Sequence, residues 1–401
     1  MGCNWRSVVL GELVDYCGKG ITPKYTYEIY SESAVPVIGQ KCIRDYVINS
    51  GLVRYHDKEK KSYRAEKLVQ PGDILINSTG VGTAGRVAQV PNSFKEECLT
   101  DSHVLTLRTS KIDPLYLGYV IKSMQSKIEL MAEGSTGQTE LNKSRLLSEI
   151  LVSFPEGPEQ QRKIANFFQI IDEKISINNR INDYLSEIAS ALFSHEILES
   201  IDDTWLRASL LDIASYKNGL AMQKYRPEKD DPGLPVLKIK ELAQGQCAAD
   251  AERCRSGIDE SVKVFDGDLI FSWSGTLLLD FWAGGNAGLN QHLFKVTSKK
   301  YKQWFYYFWT NYHMRKFITL AKDRATTMGH IKRSALAESE VYIPNENKMN
   351  ELDKLFDPLI KKIISLKIES RILSELRNEL LPKLMSGEID VCKVGVLVER
   401  L

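Results

Sequence analysis

The forty residues from Glu159 to Leu198 contain neither proline nor glycine, and their apolar residues recur in steps of four and three. One register runs Ile164, Phe168, Ile171, Ile175, Asn178, Asn182, Leu185, Ala189, Leu192. That is a heptad seam with two polar interruptions, the mark of a long helix that packs along its length against another helix. Adding 188 to each position gives Leu352, Phe356, Leu359, Ile363, Leu366, Ser370, Leu373, Arg377 and Leu380, apolar at seven of nine places. Glu156-Gly-Pro158 opens the first helix and Ser386-Gly387 stops the second. Pro382, in the last turn of the second helix, is expected to kink or fray that end. At 1.5 Å per residue each helix reaches about 60 Å, too long for the interior of a small domain. A chain with two such helices at a fixed offset is expected to be duplicated.

The segments between the helices repeat as well. Trp5-Arg6 matches Trp205-Leu-Arg207, and Gly18-Lys-Gly20 falls opposite Lys217-Asn-Gly219. Val35-Pro-Val-Ile38 returns as Leu234-Pro-Val-Leu237. Pro71-Gly-Asp-Ile-Leu-Ile-Asn-Ser-Thr-Gly80 returns 195 residues later as Asp266-Gly-Asp-Leu-Ile-Phe-Ser-Trp-Ser-Gly275. His103-Val-Leu and Val152-Ser-Phe-Pro155 return 189 residues later as His292-Leu-Phe and Val341-Tyr-Ile-Pro344. These runs are short, β-rich and bounded by Gly, Pro, Asn or Asp, while the loops between them differ. The reading is an α+β chain of two duplicated, mixed, β-rich domains separated by two long antiparallel helices. The boundaries are 1–155 and 201–345 for the domains, 156–200 for the first helix and 346–401 for the second helix and tail. The residues expected to hold the helices together are Ile164, Phe168, Ile171, Ile175, Leu185, Leu192, Leu352, Phe356, Leu359, Ile363, Leu366, Leu373 and Leu380.

Composition narrows function less. With 401 residues and a formal charge of +1, composition argues neither for nor against nucleic acid, and no basic tail is present. Seven cysteines without a Cys-x-x-Cys read as reduced thiols, neither a disulfide framework nor a zinc site. The first residues lack the apolar run of a signal peptide, and no window approaches eighteen apolar residues, so we expect a soluble, cytoplasmic protein away from membranes.

Chemistry-bearing motifs are weak taken singly. Asp113-Pro-Leu-Tyr116 comes near the Asp-Pro-Pro-Tyr of adenine methyltransferases, but no Gly-rich cofactor loop accompanies it, and it reads as a helix start. Gly18-Lys-Gly20 and Val81-Gly-Thr-Ala-Gly85 read as turns, with contact to backbone phosphate their nearest functional role. Asp57-Lys-Glu-Lys-Lys61 is a solvated charge run. His103 and His292 each begin an apolar strand with no ligand partner at metal spacing, and read as structural histidines, with a DNA contact the alternative. Asn178 and Asn182 either fix the helix register or face solvent where the helices diverge. No catalytic residue, metal or cofactor is expected.

Two copies of one framework with different loops suit two binding modules that read different things. Successive major-groove half-sites on one face of B-DNA lie about 34–36 Å apart, within reach of two domains held apart by long helices. Here the residues reach a family. Pro71-Gly-Asp73 with Ser78-Thr-Gly80, Gly267-Asp268 with Ser274-Gly275, Gly134-Ser-Thr-Gly137 leading to Phe154-Pro155 and Glu159-Gln160, and Leu380-Leu-Pro-Lys-Leu-Met-Ser-Gly-Glu388 resemble, in order and over nearly the whole length, the specificity subunit of type I restriction–modification systems. The second copy departs from the pattern at Asp266, at Arg324-Ala-Thr-Thr-Met-Gly329 and at Asn345-Glu-Asn347. The resemblance implies two target-recognition domains that read a bipartite site on double-stranded DNA. It also implies two modification subunits that carry the methyltransferase, and a restriction subunit in the full complex.

Base reading needs Arg, Lys, Asn, Gln, Ser or Thr on projecting loops. The candidates are Lys19, Lys24, Tyr25, Lys41, Arg44, Ser78, Thr79 and Arg86 in the first domain, and Lys217, Lys224, Tyr225, Lys238, Lys240, Ser272, Trp273, Ser274, Arg324 and His330 in the second. Two rival readings stand beside this one: a methyltransferase or nuclease acting alone, and a duplicated scaffold for protein partners that never reads DNA.

Overall fold

A computed structural model of the protein describes residues 4–134, 139–322 and 331–389. The chain divides into two compact units, Met1–Glu173 with Glu375–Leu401, and Lys174–Ser374.

In the first unit the strand Trp5–Val9 pairs antiparallel with Leu151–Pro155, so the segment's first and last strands close on each other. Two four-stranded sheets lie between them in the chain. One is antiparallel, in the order Tyr16–Lys19, Val104–Arg108, Ile74–Asn77, Val87–Gln89. The other is mixed, in the order Leu99–Thr100, Ala34–Ile38, Arg54–Asp57, Tyr25–Thr26. Ile74-Leu-Ile-Asn77 is apolar without alternation because all four residues are buried. The helix Pro114–Ser123 begins as its sequence requires: Asp113 Oδ1 accepts a hydrogen bond from Tyr116 N at 2.9 Å and Pro114 takes the first turn. The Asp-Pro-Leu-Tyr motif is therefore a cap.

The second unit repeats the plan. Leu206–Ser209 pairs with Glu340–Ile343. An antiparallel sheet runs Ser215–Asn218, Leu293–Thr297, Leu269–Ser272, Leu278–Phe281, and a mixed one Arg253–Cys254, Leu234–Leu237, Ala287–Leu289, Lys263–Val264. Its core is more aromatic: Trp304, Phe305 and Trp309 from the helix Gln303–Tyr312 are buried with Phe271, Phe294 and Phe317.

The two Gly-Asp motifs are structural bolts. Gly72 and Gly267 take φ of +84° and +92°, conformations open to glycine. The aspartate that follows turns back: Gln70 N donates to Asp73 Oδ2, and Phe265 N to Asp268 Oδ2, both at 2.8 Å. Each carboxylate also meets a cation on the neighbouring strand, Arg108 for Asp73 and Lys295 for Asp268. Gly20 and Gly219 do a different job, correcting the turn reading of Gly18-Lys-Gly20. Here the chain crosses another backbone so closely that a Cβ would lie 2.0 Å from Thr100 O or 2.1 Å from Leu289 O.

The first long helix, Pro158–Phe193, has 36 residues and then loosens into a π turn, Ser194–Leu198, where Glu199 N reaches back to Ser194 O. The second, Glu346–Met385, has 40. It continues through Pro382, whose ring faces solvent, and ends at Gly387 with φ +77°. In the first unit Asp172 meets Arg377 at 2.6 Å; in the second, Asn178 meets Glu369 at 2.9 Å and Glu196 meets Lys348 at 2.9 Å. In the second unit ascending numbers pair with descending ones, so there the helices run antiparallel.

Along the seam, Ile164, Phe168, Ile171, Leu352, Phe356, Ile363, Leu366 and Leu373 are buried, and Ile175, Leu185, Leu192, Leu359 and Leu380 half-buried. Asn178 and Asn182 do not face solvent: they are 1% and 9% exposed.

Candidate nucleic-acid interface

In the first unit, strand ends bring several polar groups together. Thr79 follows the buried strand Ile74–Asn77, and its Oγ1 lies 2.6 Å from His103 Nδ1, just ahead of the strand Val104–Arg108. Lys19, closing Tyr16–Lys19, donates to Glu140 Oε1 at 2.5 Å, and that bond holds the Glu140 carboxyl below its usual range. Backbone bonds tie the group together, with Ser78 N donating to His103 O at 2.8 Å and Gly80 N to Thr139 O at 3.0 Å. Gln40 joins from the other sheet: its carbonyl accepts Asn77 Nδ2 at 3.0 Å and its Oε1 accepts Thr83 Oγ1 at 3.3 Å.

Asp101 lies beneath. Burial raises its carboxyl, while a hydrogen bond from His103 N at 2.8 Å works against that. His103 is exposed, so the strand it opens is structural but its imidazole faces water beside Thr79. Such a cluster offers hydroxyl, imidazole, amide and ammonium groups, the donor and acceptor types that read base edges.

The remaining first-unit candidates are spread more widely. Lys24 and Tyr25 sit on and before the edge strand, where the Arg54 guanidinium lies 3.8 Å from the Tyr25 ring centre and donates to its hydroxyl at 2.5 Å. Lys41 is exposed on the turn after Gln40. Arg44 is exposed on the hairpin Ile43–Ile48, beside Asp45. Arg86 is half-buried and donates to Gly82 O at 2.8 Å. Ser78, at 1% exposure, turns inward and contributes backbone bonds, not a hydroxyl, to the surface.

The second unit has the corresponding end. His292 N donates to Asn290 Oδ1 at 3.2 Å, as His103 does to Asp101. Trp273 stands at the place of Ser78, 6.3 Å from the His292 ring and stacked on Phe294 at 5.5 Å, and Ser274 at the place of Thr79. Ser272 and Ser274 are buried; Ser272 Oγ donates to Thr276 O at 2.8 Å, closing the turn. Lys217, Lys224 and Lys240 are exposed. Lys238 is held by Glu252 at 2.5 Å, and Tyr225 lies 5.2 Å from the Arg255 guanidinium. Arg324 and His330 lie outside the described residues, as do Ser135 to Gly137.

Sequence reasoning passed over Arg54, Gln40 and Glu140. Only the pairing of distant strands brings them to this end, and no local pattern marks them. Among the described residues no group of three or more His, Cys, Asp and Glu side chains is placed to hold a metal ion.

The order of motifs and the doubled framework agree with a family comparison. The model of the type I restriction modification DNA specificity domain matches twice, over residues 3–187 and 202–377. The chain belongs to that family. Its function is sequence-specific DNA recognition, with DNA and the modification and restriction subunits of such a system as its partner classes. The MjaIX specificity subunit of a type I restriction enzyme from Methanocaldococcus jannaschii is 25% identical over 97% of this chain and 94% of that protein. The EcoBI specificity subunit from Escherichia coli is 25% identical over 48% of this chain and 41% of its own length. A crystal structure of the S subunit from M. genitalium superposes with a TM-score of 0.57 at 18% identity, over 95% of this chain and 96% of that one, which shows a shared fold. This specificity chain therefore has two recognition domains of one design. None of its described helices is long and apolar enough to cross a membrane.

Proposed function

We propose that this chain reads a bipartite DNA target in the cytoplasm, one half per domain, and does no chemistry itself. The observation that carries this is selective duplication. The Gly-Asp bolts, the bare crossings at Gly20 and Gly219 and the capped histidines occur in both units, while the buried Ser78 of the first is replaced by Trp273 in the second and the loops around them differ. A shared framework with unlike surfaces suits two different half-sites. The candidates that make up the first reading surface are Lys19, Lys24, Tyr25, Lys41, Arg44, Thr79 and Arg86 with His103; Lys217, Lys224, Tyr225, Lys238, Lys240 and Trp273 form the second, with Arg324 and His330 retained.

Two modification subunits carry the methyltransferase, and a restriction subunit joins them in the full complex. Support for a helical docking surface comes from the first long helix. Ile177, Ile181, Tyr184 and Ile188, spaced four, three and four, are exposed on a face the seam does not use.

The test is domain exchange. Replacing residues 1–155 with the equivalent of another family member should change one half of the methylated motif, mapped by methylome sequencing with the modification partner. If both halves change together, the assignment of one half-site per domain is wrong. Calorimetric binding of S-adenosylmethionine by the isolated chain would count against the non-catalytic role.

A further inference from the structure

The edge strand Tyr25–Thr26 ends in a loop that presents aromatic rings to water. Tyr27 is 101% exposed and Tyr30 96%, and Ile29 between them is also exposed. A tyrosine ring usually buries its apolar body, so two fully solvated rings close together add nothing to the fold. Their backbone is nonetheless pinned. Glu28 N donates to Thr26 Oγ1 at 3.1 Å, Ser31 N to Glu28 O at 3.1 Å, Ala34 N to Ser31 O at 2.9 Å and Lys58 N to Ser33 O at 2.9 Å. Rings carried on an ordered loop lose less entropy when they bind.

Strand register places this loop. Tyr25 pairs with His56 and Thr26 with Tyr55, so the position of Tyr27 falls level with Arg54 and, one strand further, Val37. That is the end of the sheet leading to Gly39 and Gln40, where the Asp101 carboxylate caps His103. Tyr27 therefore leaves the sheet at the end where Thr79 and His103 meet. The second unit keeps the ring–cation pair, Tyr225 with Arg255, but follows it with Arg226-Pro-Glu-Lys-Asp-Asp-Pro-Gly233, which has no aromatic residue. The pair belongs to the framework; the projecting rings belong to the first domain alone.

We propose that Tyr27 stacks on an unstacked base in the first half of the DNA target, with Arg54, level with it on the neighbouring strand, toward the flanking phosphate. This rests on the DNA-recognition reading. An exposed ring offers a face to any base and a hydroxyl to its edge, and stacking of this kind tolerates sequence while adding affinity. Glu28 and Glu32 on the same loop repel phosphates, so the loop meets a base and not the backbone.

The experiment uses the complex assembled with its modification subunits. The probe is a duplex carrying the motif recovered by methylome sequencing, with 2-aminopurine placed at first-half positions other than the methylated adenine. Tyr27→Ala should weaken binding about ten- to a hundredfold and abolish the 2-aminopurine signal, while Tyr27→Phe keeps both. If wild-type complex discriminates the motif from a scrambled duplex and Tyr27→Ala binds the motif as tightly as wild type, with the 2-aminopurine signal kept, this inference fails alone. If wild type does not discriminate, the DNA-recognition reading fails with it. A Tyr27→Ala chain that no longer assembles with modification subunits would move the residue to a protein interface and overturn the proposal.

Discussion

Arg108 grips Asp73 through two hydrogen bonds, Nε to Oδ1 at 2.7 Å and Nη2 to Oδ2 at 2.6 Å, and Asp73 is wholly buried. The repeat-related Asp268 is partly exposed and meets, at 2.7 Å, Lys295, a residue two places before Thr297, the counterpart of Arg108. A two-point guanidinium contact inside the protein is a stronger constraint than an ammonium near its surface. Asp73→Asn should destabilise the first unit by about 3–5 kcal/mol, because it leaves Arg108 without its charge partner. Asp268→Asn should cost the second roughly 1–3 kcal/mol. Urea unfolding of the two variants checks the difference; equal losses contradict it.

The seam asparagines are not equivalent. Asn178 Nδ2 donates to Glu369, whereas the Asn182 amide oxygen is buried with no protein partner. Asn182→Leu should therefore raise stability, by about 1 kcal/mol, and Asn178→Leu should not. A thermal melt in which Asn182→Leu falls below wild type would show that the amide is satisfied in solution.

Asp172 supplies a pH dependence. Burial raises its carboxyl, but Lys122 at 2.8 Å and Arg377 at 2.6 Å outweigh that and hold it below the usual range. The unfolded chain then binds this proton more readily than the folded one. The stabilisation is complete above the ordinary aspartate pKa of 3.8 and is lost as pH falls through the lower folded value. Asp172→Asn should lower the melting temperature at neutral pH and flatten the decline below about pH 4. Parallel acid limbs in the two proteins would remove Asp172 from this role.

The proposed spacer role is testable by insertion. Seven residues added within Glu173–Asn182, with a matching seven within Glu369–Arg377, keep both seams in phase. Each helix lengthens by about 10 Å, so the gap between half-sites should grow by up to about three base pairs. Two added residues would rotate the apolar stripe by about 200° and should prevent folding or assembly. An active heptad variant whose methylated motif keeps its original gap would rule the spacer role out.

The parts of this molecule written in local patterns were legible. The heptad spacing gave the buried register of the helices, and Asp113-Pro114 gave a helix start, because a few neighbouring residues decide both. The recognition surface was harder to read because residue type does not report burial. Ser78, Ser272 and Ser274 are the kind of residue that contacts DNA, yet each is folded into its own strand end. Arg54 and Tyr27 are unremarkable in sequence. They join the His103 end only through the pairing of Tyr25–Thr26 with a strand thirty residues away. The partner of Asn178 was hidden for a similar reason: Glu369 sits beside the seam position Ser370, not on it.

The crossing at Gly20 sets a rule for anyone who would redirect this chain. The residues just before it differ between the two units, Gly18-Lys19 in one and Lys217-Asn218 in the other. The crossing itself has no room for a single added carbon, since Thr100 and Asp101 oxygens occupy the place where one would go. A library built to change the target should therefore randomise outward from Gly20 and Gly219 and leave both bare, treating them as the pivots about which specificity is varied.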